Sequence, residues 1–459
     1  MPSYRSLARN RDFTALWVGQ TVSEIGSRMT MFVFPLITYA LTGSAMLAAA
    51  SEALHLLGLA GMLLPAGVIA DRCDRRRVMR LASGAGVLLY ASLAAAGILG
   101  VLTVPHLLVV ALLTGVGAGL FAPAEMSAVR TVVPAEELPT ALSQNQARLH
   151  VASLLSAPLG GVLYSVARWL PFAADAVSFA VSWLMLGRIR TDLAPAAYDG
   201  PRRHPAHDLA AGVRFIAGQP FFRVLTVWSA LVNLTVNALF FVAVLRLIEG
   251  GFGSFQIGLV EGIAGLAGIV GAVLAPWVID RVATGTLTVA IAWSFVPLVV
   301  PMAFWNQPAV VAAALGLGLL LNPAGNAGIQ SYRVAVTPPD LIGRVQSASQ
   351  FVSMSMLPLA PVIAGVLLSA LGGQTAILLL GVLTAAVACI PPLSRSVRSV
   401  PRPAEWERHE ALVPAAVPVA AGSASSPHSS RARVRRASAH PRSLKTSRNA
   451  EEEAIHFAR

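Results

Sequence analysis

Long apolar runs, interrupted by short polar turns, organise the chain up to a polar tail. Runs of spanning length lie near residues 13–41, 45–70, 78–102, 106–128, 140–166 and 170–187, and again near 221–248, 256–279, 286–305, 309–331, 345–370 and 374–392. A helix crosses a bilayer with about 20 apolar residues because it satisfies its backbone hydrogen bonds internally. The pattern predicts an all-α polytopic membrane protein, with twelve transmembrane helices arranged as two six-helix bundles. Between the two sets, the stretch 188–220 holds Pro195, Pro201, Pro205, Asp192, Asp199, Arg202 and Arg203, the composition of a connection outside the membrane. The predicted organisation is a first bundle over 1–187, a linker over 188–220, a second bundle over 221–393 and a tail over 394–459. The first run follows Arg5, Arg9 and Arg11 as a signal peptide would, yet it is too long for a cleaved signal core and reads as a retained span.

Composition agrees with this pattern. Of 459 residues, 55% are hydrophobic and 12% charged, with mean hydropathy +0.67; soluble domains carry roughly 25% charged residues. A soluble enzyme on a membrane anchor is excluded, since little chain remains for another large folded domain. The arginines are unevenly placed. Before residue 401, 21 fall in the alternate connections that include the amino terminus, against Arg168 and Arg246 on the opposite side. Positive charge is retained in the cytoplasm, so both termini and the linker are expected there, with the protein in the inner (plasma) membrane. The tail is rich in Pro, Ser, Ala and Arg, with RARVRR over 431–436, and reads as disordered. Contact of this basic cluster with anionic lipid is a lesser alternative, and no nucleic-acid partner is expected.

Cys73 and Cys389 are too few and too far apart for a disulfide framework or a metal site, so no metal and no cofactor is expected. No Gly-x-x-x-x-Gly-Lys loop is present, and Lys445 is the only lysine. The chain therefore does not read as an enzyme, and its driving force would be an ion gradient or the gradient of its own substrate.

The halves echo each other. GVIADR (Gly67 to Arg72) ends the second run and PWVIDR (Pro276 to Arg281) the eighth. GVGAGLFAPA (Gly115 to Ala124) is followed by VPAEEL, as GLGLLLNPA (Gly316 to Ala324) is followed by TPPDL. These matches keep a common order at offsets of 200 to 209 residues, the mark of a repeated bundle.

GVIADRCDRRR (Gly67 to Arg77) resembles the loop between the second and third spans of major facilitator superfamily transporters. RDFTALWVGQTVSEIGS (Arg11 to Ser27) and VPAEELPTALSQNQA (Val133 to Ala147) are similar to the branch that includes macrolide and siderophore exporters. The resemblance covers roughly residues 10 to 393. It implies two six-helix bundles rocking about a central site lined by spans 1, 4, 7 and 10. It further implies a cytoplasmic gate at Gly67, Asp71, Arg72, Arg75, Arg76 and Arg77, with Asp280 and Arg281 as counterparts in the second half. Asp74 stands where the family usually has Gly, and Ala111 and Thr114 replace the Arg and Gln that proton-driven drug antiporters often carry in span 4.

Polar residues at bilayer depth cost several kcal/mol unless paired or wetted, so they point to cavities or relays. Glu24 and Arg28 are four residues apart on one helix face in span 1. Asn233 and Asn237 in span 7, and Asn322 and Asn326 in span 10, repeat that spacing. All six are candidates for substrate or proton binding, with interhelical packing as the alternative. Glu52 and His55 share a face of span 2 and form either a possible proton relay or a simple contact. Gly115, Gly117 and Gly119 would allow close approach of a helix or a ligand; Gly258, Gly262, Gly265 and Gly268 suggest close packing of span 8. Pro358 and Pro361 should kink span 11. Glu125, Asp175 and Glu261 fall near expected span ends and read as interfacial or structural. The expected function is secondary active export of a drug-like compound or secondary metabolite by proton antiport, with small molecule, protons and lipid bilayer as partners and a monomer as the working unit. The alternatives are a facilitator or importer of a small solute, or a non-transporting membrane sensor or scaffold.

Overall fold

The computed structural model describes residue 7 and residues 9–134, 136–194, 205–338 and 341–406, all within one compact unit, Met1–Pro414. Among the described residues all regular structure is helical. The first half contains α1 (Arg11–Thr42), α2 (Ala45–Arg72), α3 (Arg75–Ile98), α4 (Val104–Val132), α5 (Leu138–Val166) and α6 (Leu170–Arg188). Local chemistry sets their limits. Asn10 caps α1 by accepting from the Phe13 amide at 3.1 Å, and Asp74 caps α3 by accepting from the Arg76 amide at 2.9 Å. Gly43 ends α1 at φ 66°, a left-handed conformation that glycine adopts without a Cβ penalty.

The linker is not irregular throughout: α7 (Pro205–Gly218) packs Phe215 and Ile216 against Phe222, Val345 and Ala348. The second half opens with two unbroken spans, α8 (Pro220–Glu249) and α9 (Ser254–Arg281). The next three are interrupted. They comprise α10 (Thr284–Trp293) with α11 (Val299–Phe304), α12 (Pro308–Leu320) with α13 (Asn322–Ala335), and α14 (Ile342–Ser355) with α15 (Leu359–Leu371). Pro297, Pro323 and Pro358 sit at or beside the three breaks, where a missing amide and a ring clash end the helix. The last span is α16 (Gly373–Ala388).

Eleven of the twelve spans are long and apolar enough to cross a membrane. The remaining one, α1, has 32 residues, ample length, but Arg11, Asp12, Glu24 and Arg28 dilute its apolarity. Leu81 and Leu88 on α3 and Val273 on α9 are about three-quarters exposed, as lipid-facing residues should be. The first part of the tail expected to be disordered from residue 394 is ordered: α17 (Ile390–Leu393) and α18 (Arg395–Arg398) lead into a segment that is anchored to α10. There the Gly285 amide donates to Val400 O at 3.0 Å, and Trp406 packs on Tyr332 with ring centroids 5.5 Å apart. The rest of the tail, with RARVRR, lies outside the described residues.

The halves meet along two seams, α5 with α9 and α2 with α15. Both seams lie at the end remote from the linker. A methyl at Gly161 would strike Ser254 backbone, one at Gly258 the Ala157 carbonyl, and one at Gly365 the Ala49 side chain. Nearer the linker end the halves diverge: Gly61 and Gly67 on α2 and Gly268 on α9 have open space where a side chain would stand. The molecule is closed at the far end and parted at the linker end.

Candidate functional site

Between the halves lies a chamber of about 330 Å³, lined by Arg28, Met31 and Phe32 of α1, Glu52 and Leu56 of α2, Ser153, Ser156 and Ala157 of α5, Asn237, Phe240 and Phe241 of α8, Glu261 of α9, and Pro361 of α15. It is bounded by aromatic and aliphatic walls with a few convergent polar groups, the pattern of small-molecule sites. It continues on either side. Arg28, Met31 and Leu56 also line a chamber of about 400 Å³ inside the first half, with Glu24, His55, Tyr90, Thr114 and Glu125. Ser153, Phe240 and Glu261 also line a third, of about 310 Å³, with His150, Asn322 and Pro323.

Charge marks both doorways. Arg28 Nε donates to Glu24 Oε1 at 2.6 Å, and the Arg28 side chain is 41% exposed. Glu52 and Glu261 approach the central chamber from opposite halves, within electrostatic reach of each other, and Glu261 is within reach of Arg28. Neither acid has a hydrogen bond or ion pair with the described residues. Glu24, Glu52 and Glu261 thus stand around one guanidinium in the two joined chambers. Glu261 is therefore no interfacial residue, as its sequence position suggested: it stands seven residues inside α9 on the face turned to the first half.

Other candidates separate. Glu52 faces the central chamber, whereas His55 is 8% exposed and turns inward, its Nδ1 3.3 Å from Thr114 Oγ1. Three residues apart on one helix, they serve different walls, and the expected contact between them is not made. Asn237 lines the chamber, while Asn233 Nδ2 donates to Ser353 O at 3.3 Å. That carbonyl lies in the last turn of α14, where the break removes its amide partner, so Asn233 has a packing task. Asn326 donates to Asn322 at 2.6 Å, and Asn322 lines the third chamber. Gly115 and Gly119 let α4 lie against α2 backbone at His55 and Leu59, and Gly117 alone turns to open space.

At the linker end, Gly67 has open space where a side chain would stand and Arg72 is exposed. Asp71 is in the last turn of α2, its side chain outside the described residues. Arg75 donates to Ala194 O at 3.1 Å and Arg76 to Thr191 O at 2.6 Å, while Asp12 accepts from Thr191 Oγ1 at 2.6 Å. These groups fasten the start of the linker to the first half. Arg77 pairs loosely with Asp74, 3.6 Å, Asp280 is exposed, and Arg281 stacks on Trp277 at 4.5 Å.

Three groups differ most from their expected surroundings. Arg148 lies within α5 and donates to Glu125 of α4 at 2.8 Å, with side-chain exposures of 5% and 15%. The sequence signal was available: opposite charges stand at similar distances on either side of one tight turn. Asp175 is fully buried against α1 and α3. The residues around it, Thr30 and Tyr90, carried no spacing signal, since they converge from separate helices.

A profile described as Major Facilitator Superfamily matches residues 16–358. The chain is 27% identical over 410 residues to an uncharacterized MFS-type transporter, y4rN, of Sinorhizobium fredii, covering 85% of this chain and 96% of that protein. It is also 27% identical over 157 residues to macrolide efflux protein A of Streptococcus pyogenes, 34% of this chain and 38% of that one. Among solved structures it is similar to a bacterial homolog of the human lysosomal transporter Spinster in an inward-facing, unoccupied conformation, with TM-score 0.67 and 14% identity over 85% of this chain and 98% of that one. It is likewise similar to an inward-facing bacterial homologue of the iron transporter ferroportin, with TM-score 0.60 and 17% identity over 82% and 98%.

Proposed function

The chain belongs to the major facilitator superfamily of membrane transporters, and from that premise we propose that it exports an amphipathic, drug-like compound or secondary metabolite in exchange for protons. The observation that carries this reading is the chamber between the halves, walled by Phe32, Phe240 and Phe241 and bearing Arg28, Glu52 and Glu261. Its walls suit an apolar body, and its acids suit a basic group on the same molecule. The likeness to a macrolide efflux protein supports the outward direction. Arginine bias supports a cytoplasmic linker end, which makes the parted state the inward-open one, in a monomer with both termini in the cytoplasm.

Rocking of one half against the other would close the linker end and separate the far-end seams. Glu24 is the coupling carboxyl in this reading, with Arg28 holding it ionised. A basic substrate entering beside Arg28 competes with the guanidinium for the Glu24 carboxylate, and once it has left on the outer side Glu24 takes up a proton. Accumulation of a compound panel in cells with and without the gene tests export: lower accumulation of basic amphiphiles with the gene is expected, and equal accumulation across the panel would overturn it.

A further inference from the structure

A second carboxyl in the first half has no part in that scheme. Asp175 of α6 is 0% exposed. Its oxygens accept from Thr30 Oγ1 of α1 at 2.7 Å and from Ser178 Oγ at 2.7 Å, and the Tyr90 hydroxyl of α3 stands beside them, 3.3 Å from Thr30 Oγ1. All of these partners are hydroxyls. The ion pairs among the described residues are Arg28–Glu24, Arg77–Asp74 and Arg148–Glu125, so no cation compensates Asp175. An ionisable group held at membrane depth without a counter-charge marks a functional site rather than a packing solution.

The surroundings connect it to the cavity. Tyr90 shares a chamber wall with Thr114 of α4, whose hydroxyl donates to Ala111 O at 3.0 Å and lies 3.3 Å from His55 Nδ1 of α2. His55, Thr114 and Tyr90 all line the chamber that holds Glu24 and Arg28. On the other side, Asp175 presses on Gly26, midway between Glu24 and Arg28, where a methyl group would overlap its carboxyl. The groups facing Asp175 are thus Thr30 from α1, Tyr90 from α3 and Ser178 from its own helix. The charged pair of α1 stands on the opposite, cavity side, and His55 and Thr114 are one and two steps from Tyr90.

We propose that Asp175 is a second proton-binding carboxyl of this transporter, reached from the first-half chamber through His55, Thr114 and Tyr90. A proton from chamber water adds to His55 Nε2 as the Nδ1 proton passes to Thr114 Oγ1. The Thr114 hydroxyl turns from Ala111 O and passes its proton to Tyr90, and the Tyr90 proton passes to Asp175. Each intermediate group gains one proton and loses one, and only the carboxyl changes charge. Return transfer, when the chamber faces the other side, resets the chain. The neutral acid no longer needs the Thr30 hydroxyl, so its protonation loosens α1 at the level of Glu24 and Arg28.

The inference deepens the proton-antiport reading, on which its role in transport rests, but its test needs no substrate. Full-length protein in lipid nanodiscs is examined by infrared difference spectroscopy between acid and neutral pH. A carbonyl band of a protonated carboxylic acid is expected in wild type and in Glu24→Gln, and is lost in Asp175→Asn. After a pH jump, Tyr90→Phe should slow the appearance of the band by roughly tenfold or more, because it breaks the relay. A band unchanged in Asp175→Asn overturns the proposal. If the Asn variant does not fold, Ser178→Ala and Tyr90→Phe retain the acid and remove one hydrogen bond each; a band unshifted in both also overturns it. Wild-type proteoliposomes that show the band but no transport driven by a pH gradient would refute proton antiport and leave the Asp175 site standing.

Discussion

Arg148 and Glu125 form a 2.8 Å ion pair between α5 and α4 in which both side chains are almost enclosed. Their attraction offsets a large desolvation cost, so removing one partner strands the other. Glu125→Gln or Arg148→Met alone should lower stability by about 3–5 kcal/mol. The double variant should recover most of that loss. Thermal unfolding of the four proteins in one detergent measures the coupling; additive losses would mean that each residue acts separately.

Glu24→Gln keeps the shape of the α1 pair and removes its charge. It should insert and bind lipid normally, yet lose at least about tenfold of the export driven by a pH gradient in proteoliposomes, with cationic substrates weakened more than neutral ones. Wild-type rates with the same dependence on the gradient would make the pair structural.

Far-end closure depends on backbones in contact at Gly258 and Ala157. Gly258→Val introduces overlap costing about 1–3 kcal/mol, and the cost falls only on the state with that seam closed. The linker-end-closed state should therefore gain roughly 5- to 150-fold in population. Spin labels on the loops after α4 and α13 should report shorter distances in the variant; an unchanged distribution would show that α5 and α9 yield without parting.

Asn233 and Asn237, one turn apart on α8, should respond differently to substitution. Asn233→Leu frees the Ser353 carbonyl and should reduce stability by about 0.6–1.7 kcal/mol with little change in substrate affinity. Asn237→Leu alters the chamber wall and should shift affinity with little change in melting temperature. The reverse outcome in unfolding and binding assays would exchange their roles.

The apolar periodicity of the chain by itself determined an all-helical membrane fold and the division into six and six spans, because a hydrocarbon solvent leaves the backbone few alternatives. The spacing of Glu24 and Arg28 likewise placed them on one helix face. Helical spacing could not say what each face would meet. Glu52 and His55 share a helix yet serve different cavities, Arg148 meets a buried partner in Glu125, and Asp175 and Glu261 proved to be interior. Those outcomes depend on which helices become neighbours, and at Gly26, Gly115 and Gly258 on how closely their backbones approach. Such distances are set by packing between segments far apart in sequence, so only the tertiary structure decided which polar groups face one another.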